Sequence, residues 1–159
     1  MPRAVTVVWN QGGIRLLGLS ELGGFFESRS LAVLATHGEG GAYANLIAFA
    51  VTNDLKHIVF ATPRQTLKYR NIHNNPAVAV LVDSRSNQES DFSQAIAVTA
   101  VGRATECIGD DREHLMKVYM HKHPVLGAFV ADNNTALMRV AVERYIIAGF
   151  RENHVVVPG

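Results

Sequence analysis

Three of the chain's 15 basic residues, Arg64, Lys68 and Arg70, fall within seven positions of one another. They belong to the run Phe60-Ala-Thr-Pro-Arg-Gln-Thr-Leu-Lys-Tyr-Arg-Asn-Ile72, with the hydroxyls of Thr62 and Thr66 among them. A strand-like apolar stretch ends at Thr62, a short turn follows, and the pattern from Thr66 to Asn74 predicts a helix. Thr66 is a suitable N-cap, and Pro76 stands just past the Asn74-Asn75 stop. A helix start carries unsatisfied N–H groups and a partial positive charge, so a phosphate is well placed there. Arginine adds a planar fork and lysine a point charge. Basic side chains in a first turn oppose the helix dipole, so their presence asks for a counter-anion. The competing reading is a capped surface helix with solvated Lys and Arg.

The other chemistry-bearing residues single out no site. His121 and His123 lie two apart on a predicted helix and do not share a face; His114 and His121 do. A solvated helix face explains these three, because no cysteine or carboxylate completes a zinc-ligand spacing. His37 and His57 sit beside turns, His73 ends a helix and His154 lies in the tail, so no metal site is expected. Gly-x-Ser-x-Gly, Gly-x-Gly-x-x-Gly and the phosphate-loop pattern are absent. Asp110 and Asp111 fit helix capping better than metal binding. Cys107 is the single cysteine; it cannot form an intramolecular disulfide, and its expected role is a small hydrophobe in a strand.

Composition narrows the class. Of 159 residues, 48% are hydrophobic and 18% charged, and 15 basic against 14 acidic groups leave a net charge of +1. High apolar content with near-zero charge argues against disorder. A nucleic-acid coat needs an excess of positive charge to release counterions, so no nucleic-acid partner is expected. A single domain over residues 1–159 is expected, with its core at about 20–150 and an N-terminal arm over 1–18. The start lacks a signal-peptide pattern, and no run approaches the roughly 18 apolar residues of a membrane span. With the lone cysteine, this points to a soluble cytoplasmic protein.

The elements that must position the basic cluster are mostly strands. Leu19 to Ser28 places Leu22, Phe25 and Phe26 on one helical face, although Gly23 and Gly24 weaken it. Leu31 to Thr36 and Ala42 to Val51 flank the turn Gly38-Glu-Gly-Gly41 and should pair as a hairpin. Further strands are expected over His57 to Thr62, Ala77 to Val82, Ala95 to Cys107 and Leu137 to Phe150. The third of these carries Gly102, where a bulge or close backbone approach can fall. In the last strand, Met138, Val140 and Val142 should face one side and Arg139, Ala141 and Glu143 the other. Asp110 with Glu113 predicts a capping box opening a helix that Pro124 stops, followed by a helical turn around Val125 to Ala131. Val5 to Trp9 reads as an edge strand or interface arm, and Asp83 to Ser93 as a polar loop. Successive hairpins with scattered helices imply a mainly β, α+β fold with an antiparallel sheet closed into a barrel.

In their order, these segments resemble the pyridoxamine 5′-phosphate oxidase-like family of FMN-binding split β-barrels. The matching stretches are Ser30-Leu-Ala-Val-Leu-Ala-Thr36, Tyr43-Ala-Asn-Leu-Ile-Ala-Phe49, Val59 to Ile72, Asn75 to Asp83, and Ala97-Val-Thr-Ala-Val-Gly-Arg-Ala-Thr105. The resemblance implies a six-stranded Greek-key split barrel with flanking helices, and a homodimer with FMN at the subunit interface. It also implies that Asn45, Leu46, Ile47 and Ala48 line the isoalloxazine, largely through backbone groups. Thr62, Arg64, Gln65, Thr66 and Lys68 would then bind the phosphate side. The expected activity is a flavin-dependent oxidoreduction of a small molecule, with no catalytic residue identified. Relatives of this fold that bind haem or the deazaflavin F420 give the alternatives. Authentic pyridoxamine phosphate oxidases end in Arg-x-His and Trp-containing Arg-Leu-x-Pro motifs. The segment Arg144 to Pro158 has neither, so vitamin B6 oxidation is not the expected reaction.

Overall fold

A computed structural model describes residues 18–150 and 153–159. The strands are β1 (Leu31–Gly38), β2 (Gly41–Val51), β3 (His57–Pro63), β4 (Ala77–Asp83), β5 (Ala97–Glu106), β6 (Thr135–Ala148) and β7 (Asn153–Val156). The helices are α1 (Leu19–Glu27), α2 (Leu67–Asn74), α3 (Asp91–Gln94), α4 (Gly109–Lys122) and α5 (Gly127–Ala131), with a 3-10 turn at Pro124–Leu126. Val5 to Trp9 and the expected N-terminal arm lie outside the described residues.

Strand order is β3-β2-β1-β4-β5-β6-β7, and β3 also pairs with β6. That extra pairing closes six strands into an antiparallel barrel with β7 added outside β6. The first three strands meander and β4 returns beside β1, which is the Greek-key connection. Closure removes the free edges that β3 and β6 would otherwise expose.

Side-chain alternation builds the core. Ala32, Leu34 and Thr36 point inward from β1, and Ile47 and Phe49 from β2. With Ile58, Phe60, Val80, Val98, Met138, Val140 and Tyr145 they fill the barrel interior. Helix α1 plugs one end, placing Phe26 edge-on to Phe49. Outside the barrel, Leu115 and Tyr119 of α4 cover Val59, Leu137 and Cys107. β3 is therefore covered on both faces, which is why His57–Pro63 reads as a continuous apolar run.

Two glycines are fixed by close approach. A Cβ on Gly102 would stand 2.1 Å from the Ala141 carbonyl oxygen. Here the β5–β6 register shifts, with Gly102 opposite Val142 and Val101 opposite Arg144, so Glu143 is the extra residue of a bulge. The bulge breaks the expected alternation of β6: Glu143 and Arg144 are both exposed. A Cβ on Gly38 would collide with the Asn71 amide, which reaches under the hairpin to donate to Thr36 Oγ1 at 3.1 Å.

Other sequence expectations change on folding. The N-cap of α4 is Ile108 and makes no side-chain cap bond, so Asp110 and Glu113 form no capping box. Asp111 instead accepts from Arg139 across the sheet at 2.9 Å. Cys107 lies just beyond β5, but is buried as expected of a small hydrophobe, and burial pushes its thiol up to about 11. The Asp83–Ser93 loop leads into α3, whose Asp91 carboxylate accepts from the amides of Ser86, Asn87 and Gln88. His154, in the tail, belongs to β7.

Candidate functional site

The Thr62–Lys68 segment folds as its sequence predicts. Thr66 is extended and caps α2, accepting from the Tyr69 amide at 3.4 Å. Its hydroxyl lies 2.8 Å from that of the fully buried Thr62 and 2.9 Å from the Pro63 carbonyl. The Thr62 hydroxyl also lies 3.3 Å from the Pro63 carbonyl, so both hydroxyls are engaged within the turn. The amides of Leu67 and Lys68 find no acceptor among the described residues. They are the orphan donors of a helix start.

The three basic residues of this segment have different surroundings. Arg64 donates to the Asn133 carbonyl at 2.6 Å and makes a short ion pair with Glu106, while its backbone amide donates to Asn134. Arg70 is exposed on the helix surface. Lys68 is half-buried, makes no hydrogen bond or ion pair to any described residue, and has its pKa lowered by burial. A partly desolvated ammonium in a helix's first turn, beside free amides, is an uncompensated positive centre. Gln65 lies exposed in the preceding turn.

Glu106 was not foreseen from sequence. It stands at the end of β5, accepts from Tyr69 Oη at 2.6 Å and from Arg64, and so ties α2 and the preceding turn to the barrel. Burial alone would raise its pKa, but those two hydrogen bonds hold it below the ordinary glutamate value. Tyr69 is raised by the same contact. Glu106 lies 42 and 37 positions from its two partners, so no local spacing could reveal the cluster.

The Asn45–Ala48 segment lies on the neighbouring strand. Register places Ile47 opposite Ala32 and Asn45 opposite Leu34, so both point inward, while Leu46 and Ala48 point outward. The β2–β3 ladder runs only from Val51↔Ile58 to Phe49↔Phe60. Continued, that register would set Ile47 beside Thr62, but the strands have separated there and the barrel is split. Asn45–Ala48 and Thr62–Lys68 thus follow the unpaired ends of β2 and β3, and no hydrogen bond between described residues joins them. Asn45 Oδ1 is buried and unpartnered, while its amide nitrogen donates to the Leu46 carbonyl at 3.1 Å. A buried acceptor left unsatisfied costs about 1–3 kcal/mol, so it marks a place for a donor.

This barrel fold has relatives. The profile of pyridoxamine 5′-phosphate oxidase matches residues 20–147. The chain belongs to that family. Comparison with curated proteins finds no match. Among solved structures, a haem-binding protein from Mycobacterium smegmatis superposes with a TM-score of 0.71 at 15% identity, covering 84% of this chain and 57% of that one. The chain thus spans little more than half of that relative. An FAD-binding protein from Mesorhizobium loti gives a TM-score of 0.64 at 19% identity, covering 89% of this chain and 96% of that chain. A putative pyridoxamine 5′-phosphate oxidase from Listeria innocua gives 0.62 at 12% identity, covering 84% and 98%. At these identities the superpositions establish the fold. The family's structural relatives include both flavin and haem binders.

Among the described residues no group of three or more His, Cys, Asp and Glu is arranged to hold a metal. No described helix is long and apolar enough to cross a membrane.

Proposed function

We propose that this protein binds FMN in the split of the barrel and acts as a flavin-dependent oxidoreductase on a small molecule. The observation that carries the reading is Lys68, a half-buried cation without an internal partner beside the free amides of the α2 start. Lys68 and the Leu67 and Lys68 amides would hold the phosphate, with the Thr62–Thr66 hydroxyl pair fixing the turn beside it. Arg64 is committed to Glu106 and acts by fixing the turn. Asn45, with Leu46, Ile47 and Ala48, would border the ring system and offer the Asn45 carbonyl oxygen to a ring N–H. Bound flavin would supply hydride or electron transfer; the chain supplies position, anion binding and a partly dry wall.

Homodimerisation is part of the proposal. The outward face of β2, β1 and β4 carries Leu46, Val33 and Leu81 side by side. Leu31 and Leu46 are 55% and 62% exposed. A contiguous apolar sheet face of this kind is typical of a surface covered in an assembly. A partner docked there would cover the outward side chains of Leu46 and Ala48 and complete the cofactor cleft.

Absorbance of the purified protein, followed by titration of the apoprotein with FMN, tests the reading. Saturable uptake with a two-band flavin spectrum is expected, and light scattering should give twice the 17.3 kDa chain mass. A Soret band, a single deazaflavin band, or no uptake of FMN would overturn it in favour of haem, F420 or neither.

A further inference from the structure

At the other end of β3 lies a second cleft, which holds Lys122. A cavity of about 420 Å³ is bounded by α1, the β2–β3 turn and the end of α4. Its lining includes Gly23, Gly24, Glu27, Thr52, His121 and Lys122. Strand β3 separates it from Thr62; seven residues at about 3.3 Å each put the two sites roughly 20 Å apart. We propose that this cleft is a second binding site, for a small monocarboxylate whose charge is taken by Lys122.

Lys122 Nζ donates to the Phe26 carbonyl at 2.9 Å and lies 3.9 Å from the centroid of the Phe49 ring. An ammonium has three donors, so this holds the group in place and leaves two N–H groups to direct elsewhere. No carboxylate of the described residues forms an ion pair with it. Burial lowers its pKa to about 8, with Glu27 acting weakly in the opposite direction. A cation so placed gains from an anion that enters with it into the low-dielectric cleft.

The charge of the ligand follows from the neighbours. Glu27 lines the same cavity and repels a dianion such as phosphate. His121 lies on the same wall, while in the β2–β3 turn the Asp54 carboxylate is already engaged by the Thr52 hydroxyl and the Lys56 amide. Phe26, Val51 and Leu55 supply apolar lining for the body of the ligand. Its volume falls in the usual range for small-molecule sites.

The glycines of α1 make an independent observation. Gly23 and Gly24 occupy the interior of a nine-residue helix, where each costs about 1 kcal/mol relative to alanine. A Cβ at either would meet nothing within 4 Å. Packing therefore does not require glycine at either position. What the two glycines do provide is a bare helix wall along the cavity.

Reductive methylation with ¹³C-formaldehyde labels the four lysines, Lys56, Lys68, Lys117 and Lys122, and NMR resolves their titrations. The signal lost in Lys122→Met is assigned to Lys122. On the full chain, sodium benzoate should shift that signal saturably and raise its titration midpoint, whereas benzylamine and inorganic phosphate at equal ionic strength should not. Lys122→Met should weaken benzoate binding, measured by ligand-observed NMR, by roughly tenfold or more. Gly24→Leu, which favours the helix and fills the cleft, should abolish the shift while the other lysine signals stay in place. No saturable shift with benzoate, an equal shift with phosphate, or an unchanged response in Gly24→Leu would overturn the proposal. The Lys68 signal in the same spectra reports the proposed phosphate site separately.

Discussion

Lys68 and Lys122 are both partly buried lysines with lowered pKa values, one at each end of β3, and they differ in company. Lys68 stands in the first turn of α2, where the amides of Leu67 and Lys68 are also donors without an acceptor among the described residues. Lys122 stands in the last turn of α4, where the dipole favours a cation, and is surrounded by acceptors: a carbonyl, an aromatic face and the nearby Glu27. Several donors with no internal acceptor suit a multiply charged anion. A cation already partly compensated suits a single charge. Helix polarity and neighbours thus distinguish two sites that the residue type alone would equate.

The largest expected effect breaks the Lys68 side of the contrast. Lys68→Met should lower FMN affinity by roughly tenfold to a hundredfold, since charge-assisted hydrogen bonds contribute about 1.5–3 kcal/mol. Fluorescence titration checks it; unchanged affinity would remove Lys68 from the phosphate site. Thr66→Ala should cost about 1 kcal/mol of stability through the lost cap, and lower FMN affinity several-fold, by denaturant melts and the same titration.

Lys122→Met should leave FMN affinity unchanged and alter the pH dependence of stability. Because the folded pKa of about 8 lies below the ordinary lysine value of 10.5, the unfolded chain holds more protons between them. Lys122 therefore penalises the fold below about pH 8, and the penalty fades as pH rises towards 10.5. Wild type should gain stability relative to Lys122→Met across that window. Parallel pH profiles would show that the site does not desolvate its lysine.

The smallest effect concerns Glu106. Its folded pKa is depressed, so its stabilising contribution is present above the unfolded pKa near 4.5 and is lost as pH falls through the folded value. Glu106→Gln should cost no more than about 1 kcal/mol, because Arg64 is substantially exposed. It should also leave Arg64 free to compete for the phosphate, so FMN affinity should hold or rise. A large loss of affinity would instead make the Arg64–Glu106 geometry essential to the cleft.

The α2 segment was legible because its information is local: a strand end, a capping threonine and three basic residues within seven positions. The barrel strands were legible for a similar reason, since alternation and turn glycines act over a few residues. The α4 cap was misread because the helix starts at Gly109 with Ile108 as N-cap, which puts Asp110 inside the first turn and not at the cap. Strand β7 and helix α3 escaped notice because short polar segments gain their structure only by docking, β7 on β6 and Asp91 on the loop amides.

By itself the sequence determined the kinds and order of the elements, the family resemblance and the position of the basic cluster. Each of these follows from propensity and spacing over a few residues. Only the tertiary structure decided which cation is committed and which is free. Glu106 reaches Arg64 across 42 residues and Phe49 comes under Lys122 across 73, and such pairings exist only once the barrel has closed. A near-neutral chain can therefore hold one uncompensated and one partly compensated positive centre, because charge balance is settled by contacts in space and not by composition.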